Sequence, residues 1–511
     1  MERNRLKRGE AMVLSGEARK EPPFSPGWAN VRTESKGDVT DTRMVARGNF
    51  RDTMGAWRRG FAGACAAMIL SGAGWAGAAS VDPFAEFLSS IPAATTTLST
   101  VNSGSGTQAI TTRKFTFPSR KGVNTIYGIL SYPQAAGAYP GILQLHGGGS
   151  NAETLAGMTV DYAKRGYVAL AIDLPGICGT TNTPNTTGPW KSRPLGEAPR
   201  FEVAPDPGKS TLVDAEVAGL EAFNWLRSQT NVNPGAMGIT GFSWGGYSTT
   251  MLSGLLGDKV KAAYAVFGCG YYDKGSAWKT LIAGLSAADR DVWLANLDAG
   301  RRAPDIKAAY FLEGETNDTY FWPEAVGATL NAIPGAAKNH VWGPNLNHMQ
   351  LPDGPAMQRF WFDYHLKGQG NGFSKVTITG SEAAAGQGRK ITLTVAPPAG
   401  VAVSAVRVHY SVTGADWQSR QWDSVTAVAG AQGVYTAILP DSLSSRKTDF
   451  YAKATDSRKV STGSDMFNTS QVVTGMRRPQ AGPAQPSSGP RVDAEGRRMV
   501  TRKLPGFRAP R

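Results

Sequence analysis

The chain has 511 residues, 41% of them hydrophobic and 18% charged, and is too long and too apolar to be wholly disordered. Apart from one Ala/Gly-rich stretch near residue 65 there is no apolar run of the roughly 18 residues that a membrane-spanning helix needs, which excludes a multi-span membrane protein. The net charge of +14 sits at the ends: residues 1–53 hold 11 Lys/Arg against 8 Asp/Glu, residues 472–511 hold 9 against 2, and Arg58 and Arg59 add to the first group. The body carries about +2, so no basic face for DNA or RNA is expected.

Residues 1–53 are polar and unpatterned, and read as a disordered extension or a mis-assigned start preceding Met54. From Met54, Arg58-Arg59 is followed by the apolar run Gly60–Leu70 and by Ala76-Gly77-Ala78. That order of charged, apolar and small residues is a secretory signal, so residues 54–78 are expected to be removed and the chain secreted or periplasmic. Residues 79–111 are Ala/Thr/Ser/Gly-rich and read as a leader or linker.

Between 112 and 368, short apolar runs alternate with helical stretches. Lys114–Pro118 and Val123–Tyr132 suggest paired antiparallel strands. Further strands are expected at 141–145, 167–172, 236–240, 262–267, 308–312 and 340–342. Helices are expected at Glu153–Lys164, Leu212–Arg227, Tyr247–Leu256, Pro323–Ala332 and Pro355–Leu366. Alternating strand and helix predicts an α/β domain with a doubly wound, mostly parallel sheet, whose ligand sites form at the carboxyl ends of the strands. After Gly368–Gly372 the rhythm changes to period-two strands without helices, so residues 375–470 are expected to form a small all-β sandwich of fibronectin or immunoglobulin type. Residues 472–511 read as a disordered basic tail.

Gly241-Phe-Ser-Trp-Gly245 follows an expected strand and opens an expected helix, the context in which a Gly-x-Ser-x-Gly run exposes a nucleophilic hydroxyl on a sharp turn. Ser243 is therefore the candidate nucleophile. His146-Gly-Gly-Gly149 ends the strand 141–145. The backbone N–H of Gly148 or Gly149, with that of Trp244, would hold an oxyanion, one such donor being worth roughly 3 kcal/mol in the transition state.

The base is found by elimination among five histidines. His146 belongs to the glycine turn, His340 to a strand, His365 to the last helix and His409 to the sandwich. His348 lies in the loop after the last strand, where the order nucleophile, acid, histidine requires it. The acid must follow the strand at 308–312; Asp318 is preferred, with Glu313 and Glu315 as alternatives. Neither a Cys-x-x-Cys nor a His-x-x-x-His spacing supports a metal site. Pro207-Gly-Lys-Ser210 has Val203 where a phosphate-binding loop needs glycine. No cofactor is expected.

With these residues in view, residues 112–368 resemble the α/β-hydrolase superfamily, and within it the dienelactone hydrolases, acetyl xylan esterases and prolyl-oligopeptidase-type hydrolases. Gly241–Tyr247 is similar to the elbow of the last group. Gly314–Asp318 and Asn345–His348 resemble the acid and histidine motifs of secreted bacterial esterases. Three departures matter. The best-defined acetyl xylan and cephalosporin deacetylases carry Ser-Gln-Gly-Gly where this chain has Ser243-Trp244, dienelactone hydrolases use a cysteine nucleophile, and a prolyl-oligopeptidase-type enzyme would need room for a propeller.

Two insertions, 176–210 and 270–304, are expected to wall a pocket. Tyr271, Tyr320, Phe321 and Trp322 are candidates to stack on sugar or aryl groups, with core filling as the plain alternative. Cys178 and Cys269 each follow a strand, and their pairing stays open. The resemblance implies a secreted serine esterase acting on a small-molecule or polysaccharide ester. The alternatives are a peptidase, or a surface protein whose sandwich binds a glycan or partner. The sandwich reads as self-sufficient and contributes no catalytic residue, so a chain ending near Gly372 is expected to hydrolyse small esters still.

Overall fold

The computed structural model describes residues 82–470 apart from 195, 336, 385, 387 and 415. The expected signal, the extension before it and the basic tail lie outside the described residues.

Nine strands form one sheet: β1 (Thr96–Ser103), β2 (Ile110–Ser119), β3 (Asn124–Pro133), β4 (Tyr139–Leu145), β5 (Val168–Ile172), β6 (Val232–Phe242), β7 (Ala262–Val266), β8 (Ala309–Glu315) and β9 (Lys338–Gly343). Their order is β1-β2-β3-β5-β4-β6-β7-β8-β9. The first three strands are antiparallel to their neighbours, and from β5 to β9 every pairing is parallel. This is the α/β-hydrolase fold. Every residue of β5 and of β7 is buried, because helices cover both faces of the parallel part, and such positions favour unbroken runs of apolar and aromatic residues.

Helices Ala156–Lys164 and Gly354–Lys367 cover one face, where Tyr162 meets Phe362 edge-on at 6.1 Å. Helices Thr211–Arg227 and Trp244–Leu256 enter the larger apolar layer on the other face. Ser210 begins the first of these, its hydroxyl accepting from the Leu212 N–H at 3.2 Å. The chain leaves β4 to build β5 on one side and returns to place β6 on the other. That reversal opens a crevice at the carboxyl ends of β4 and β6.

One buried acid in this layer gives a pH prediction. Glu216, on helix Thr211–Arg227, is fully buried and accepts from the Ser248 hydroxyl. Burial pushes its carboxyl from 4.5 up to about 8. The folded state thus keeps a proton that the unfolded chain has lost. Its contribution is complete below about pH 4.5 and is lost as pH rises towards 8 and beyond. The neutral isostere Glu216→Gln escapes this loss. Its unfolding free energy relative to wild type is expected to rise by roughly 1.4 kcal/mol per pH unit across that window. Urea denaturation of both proteins near pH 5 and near pH 8 reads the difference; a constant offset would refute it.

Two expectations need correction. The stretch at 79–111, expected to be a leader or linker, is structured from residue 82 onward: Phe84 and Phe87 are buried in the main core, and β1 pairs with β2 along its length. All eight residues of β1 are exposed, so the in–out alternation that reveals a strand in sequence is missing.

The second correction concerns the sandwich. It consists of a four-stranded sheet, β10 (Lys375–Ala384), β11 (Gly388–Ala396), β14 (Val428–Ala429) and β15 (Val434–Leu439), and a five-stranded sheet, β12 (Val403–Val412), β13 (Asp423–Thr426), β16 (Thr448–Asp456), β17 (Ser461–Gly463) and β18 (Phe467–Asn468). The two sheets enclose their own core of Val376, Ile391, Leu393, Val408 and Phe450. Yet the unit also shares an apolar and hydrogen-bonded interface with the first domain. Trp422 and Tyr451 belong to the main core of the first domain, and Tyr451 lies 6.2 Å from Trp342 on β9. The Ser464 carbonyl receives a bond from Trp342 Nε1 at 3.2 Å and meets His340 Nε2 at 2.9 Å, and Asn339 donates to the Ser374 carbonyl at 2.9 Å.

Candidate active site

Ser243 stands between β6 and helix Trp244–Leu256 with φ 56° and ψ −120°, a conformation costly for a residue with a Cβ. The surroundings enforce it. The Ser243 N–H donates to the Val266 carbonyl at 2.9 Å, and its carbonyl accepts from Tyr247 N–H at 2.9 Å. The turn can lie this close to β4 only because residue 245 is glycine: a Cβ there would sit 2.2 Å from the Leu145 carbonyl oxygen.

His348 Nε2 lies 2.9 Å from Ser243 Oγ, and His348 Nδ1 lies 3.0 Å and 3.2 Å from the two carboxylate oxygens of Asp318. With Asp318 accepting, Nδ1 carries the proton and the Nε2 lone pair faces the serine hydroxyl. Asp318 is fully buried, and its Oδ1 also accepts from the N–H groups of Tyr320 at 2.6 Å and Phe321 at 3.1 Å, which fix the carboxylate plane. The imidazole is held by Phe267 at 4.5 Å, Tyr320 at 4.8 Å and Phe321 at 5.9 Å between ring centres.

Of the three acid candidates, Asp318 is the one brought to His348. Glu313 is also buried, but it accepts from the Tyr264 hydroxyl at 2.9 Å and from the Leu351 N–H. It thereby ties β8 to the chain three residues beyond His348. Burial pushes its carboxyl up to about 7 and that of Glu315 well above its usual range.

The glycine turn is organised by His146. Its Nε2 accepts from the Leu174 N–H at 2.9 Å, so Nδ1 carries the proton and donates to the Gly147 carbonyl at 2.8 Å. Complete burial lowers its pKa to about 4 and keeps it neutral in this bridge. Gly148 packs on the Trp244 ring, where a Cβ would approach Cδ1 to 2.9 Å. The Gly149 N–H, offered as an oxyanion donor, is engaged by the Ile177 carbonyl at 2.8 Å, so that assignment is corrected. Gly148 and Trp244 remain as the candidate pair; Trp244 opens its helix, and its N–H has no acceptor within that helix.

The aromatic candidates divide. Tyr320 is 42% exposed and stacks at 5.8 Å on Trp278, which meets Trp244 at 4.7 Å. One aromatic layer thus runs from the helix start to the rim beside His348. Phe321 is buried behind the imidazole and is core, not a pocket surface. Trp322 is half-buried, with Nε1 donating to the Thr319 carbonyl at 3.2 Å. Tyr271 is turned to Arg301, whose guanidinium lies 4.5 Å over its ring. Cys178 and Cys269 are separate, buried free thiols.

Arg200 was not a sequence candidate. Its guanidinium lies 4.7 Å over the Trp244 ring and donates to the Gly176 carbonyl at 2.9 Å, tying the insertion 176–210 to the elbow. An arginine within a Pro/Thr-rich insertion carries no local signal of that contact. Among the described residues no group of three His, Cys, Asp or Glu is placed to hold a metal ion, and no helix is long and apolar enough to cross a membrane.

The dienelactone hydrolase family model matches residues 126–291, a segment that contains the glycine turn and Ser243 and stops short of Asp318 and His348. Among curated proteins no relative matches. Solved structures similar to the chain include acetyl xylan esterase 1 from a Thermoanaerobacterium species (16% identity, 55% of this chain and 91% of that one, TM-score 0.45). An acetyl xylan esterase from a Paenibacillus species is similar at 19% identity, over 55% of this chain and 92% of that one, with a TM-score of 0.44. An S-formylglutathione hydrolase from Agrobacterium tumefaciens is similar at 14% identity, over 53% of this chain and 99% of that one, with a TM-score of 0.41.

Proposed function

We propose that the chain is an exported serine hydrolase that cleaves carboxylic esters through an acyl-enzyme. The observation that carries this reading is the hydrogen-bonded chain from Ser243 Oγ through His348 to Asp318, on an elbow whose backbone is held at positive φ. Ser243 Oγ would attack the ester carbonyl while His348 Nε2 takes its proton, and Asp318 would stabilise the imidazolium. The tetrahedral oxyanion would be met by the N–H groups of Gly148 and Trp244. The imidazolium would then protonate the leaving alkoxide, and water activated by His348 would release the acid. Every step uses side chains and backbone of this protein and requires no cofactor.

For the substrate we infer acetyl or other short acyl groups carried by a plant polysaccharide. Support comes from Tyr320, whose exposed ring beside His348 offers a face on which a sugar can stack. A panel of p-nitrophenyl acetate, acetylated xylan, a feruloyl ester and a peptide amide tests the reading. Turnover of acetyl esters and not of the peptide is expected; peptide cleavage at a comparable rate would overturn it.

Export rests on the order of residues 54–78. Cleavage after Ala78 leaves every described residue in the mature chain. Mass spectrometry of protein recovered outside the cytoplasm is expected to find the amino terminus near Ala79, and residues 1–53 still attached would refute it.

A further inference from the structure

We propose that Gln418, on the sandwich loop 416–422, is a positioning residue for the active-site acid, so that the sandwich sets the geometry of a site to which it contributes no reacting atom. The proposal rests on the serine-hydrolase reading of Ser243, His348 and Asp318. Gln418 Nε2 donates to the carbonyl oxygen of Asp318 itself at 3.1 Å. The preceding side chain is gripped from the same loop: Asn317 Nδ2 donates to the Arg420 carbonyl at 2.7 Å and to the Gln418 carbonyl at 3.3 Å. The histidine loop is held as well. Asn345 Nδ2 donates to the Trp422 carbonyl at 2.8 Å, and its Oδ1 accepts from the Trp422 N–H at 2.8 Å. One short loop thus binds both segments that must meet for Asp318 to reach His348.

The loop is firm enough to act as a reference. Trp422 is 4% exposed and lies parallel to Trp417 at 6.4 Å. The Arg420 guanidinium sits 3.6 Å over the Trp417 ring and pairs with Asp449 on β16. The Ser419 N–H is held by Asp416 Oδ1 at 2.9 Å. The two catalytic segments are also laced to each other: Asn317 N–H donates to the Leu346 carbonyl at 3.1 Å, and Thr319 N–H to Asn347 Oδ1 at 2.8 Å. Relative to Ser243 on β6, the acid segment is held on one side by the insertion 270–304, where Ala277 N–H donates to the Tyr320 carbonyl at 3.0 Å and Trp322 N–H donates to the Gly275 carbonyl at 3.2 Å. The sandwich loop adds the hold at Asn317, Asp318 and Asn345. Gln418 acts on the peptide that carries the Asp318 side chain, where a small rotation swings the carboxylate away from His348 Nδ1.

The test is Gln418→Met in the full chain. Methionine keeps the length of the side chain and removes the donor. The substitution is expected to lower kcat for p-nitrophenyl acetate by about 10-fold to 100-fold, the range for a misplacement of up to about 1 Å. KM should stay within about twofold, because no substrate contact is lost. The low-field proton resonance of the His348–Asp318 hydrogen bond is expected to broaden or move upfield, a change that a residue serving only stability would not cause. Gln418→Asn, which keeps the amide but withdraws it by one methylene, should give the same split if the methionine variant folds poorly.

A folded variant with unchanged kcat, or with an unmoved resonance, overturns the proposal. A raised KM at unchanged kcat overturns it too, by making Gln418 a substrate contact. The resonance separates the two readings: a wild-type protein inert towards every ester whose resonance still responds to the substitution sinks the esterase reading and leaves the positioning role standing.

Discussion

Replacing Ser243 by alanine is expected to lower kcat for p-nitrophenyl acetate about ten-thousand-fold or more while leaving the fold intact. In the proposed mechanism Ser243 supplies the oxygen that forms the acyl bond. Without it His348 has nothing to deprotonate, and only the residual effect of the oxyanion donors and of binding remains. Stability should not suffer. The Ser243 side chain bonds to His348 alone among the described contacts, and alanine removes the hydroxyl without crowding the elbow. Steady-state hydrolysis with circular dichroism on the same sample is the check. A folded alanine variant retaining more than a few per cent of wild-type turnover would take Ser243 out of the mechanism.

The second large effect concerns the sandwich. A chain ending at Gly372 is expected to lose about 100-fold or more in kcat/KM on a small soluble ester, roughly 2.7 kcal/mol. This reverses the expectation drawn from sequence. Truncation removes Trp422 and Tyr451 from the main core, each worth up to roughly 3 kcal/mol of burial, against a typical domain stability of about 5–15 kcal/mol. It also deletes the partners of Asn317, Asn345 and the Asp318 carbonyl. Both chains must be compared as monomers at equal concentration, because the uncovered apolar surface around Trp342 invites aggregation. A monomeric truncated chain with kcat/KM within about threefold of the full chain would show that the interface is dispensable.

The parallel part of the sheet was legible because burial on both faces demands unbroken apolar runs. Val168–Ile172 and Ala262–Val266 are such runs, and the glycines around Ser243 announce a turn that nothing else in the chain duplicates. The histidine could be reached by elimination, since five are present and four belong to other elements. The acid could be narrowed to Glu313, Glu315 and Asp318, with Asp318 preferred. The packing of β8 against Tyr264 and Leu351 gives the physical reason that excludes Glu313, whose carboxyl is consumed there, while the carboxyl of Asp318 meets His348.

What sequence did not reveal depends on contacts between distant segments. β1 is exposed along its length and carries no period. The Gly149 N–H is lost to Ile177, which lies 28 positions further along the chain, beyond helix Ala156–Lys164 and β5. Phe321 and Tyr320 are neighbours in an aromatic run, yet one supports the imidazole from behind and the other faces solvent. The grip of Gln418 on the acid loop spans 100 positions and uses a side chain with no signature of its own.

The most direct test of the central claim is labelling of the full chain with a fluorophosphonate, which reacts only with a serine whose proton a neighbouring base removes. After proteolysis, mass spectrometry should find the adduct on the peptide containing Gly241–Gly245, at Ser243, and His348→Ala should abolish it. A wild-type protein that stays unlabelled, or that carries the adduct on another residue, would contradict the account.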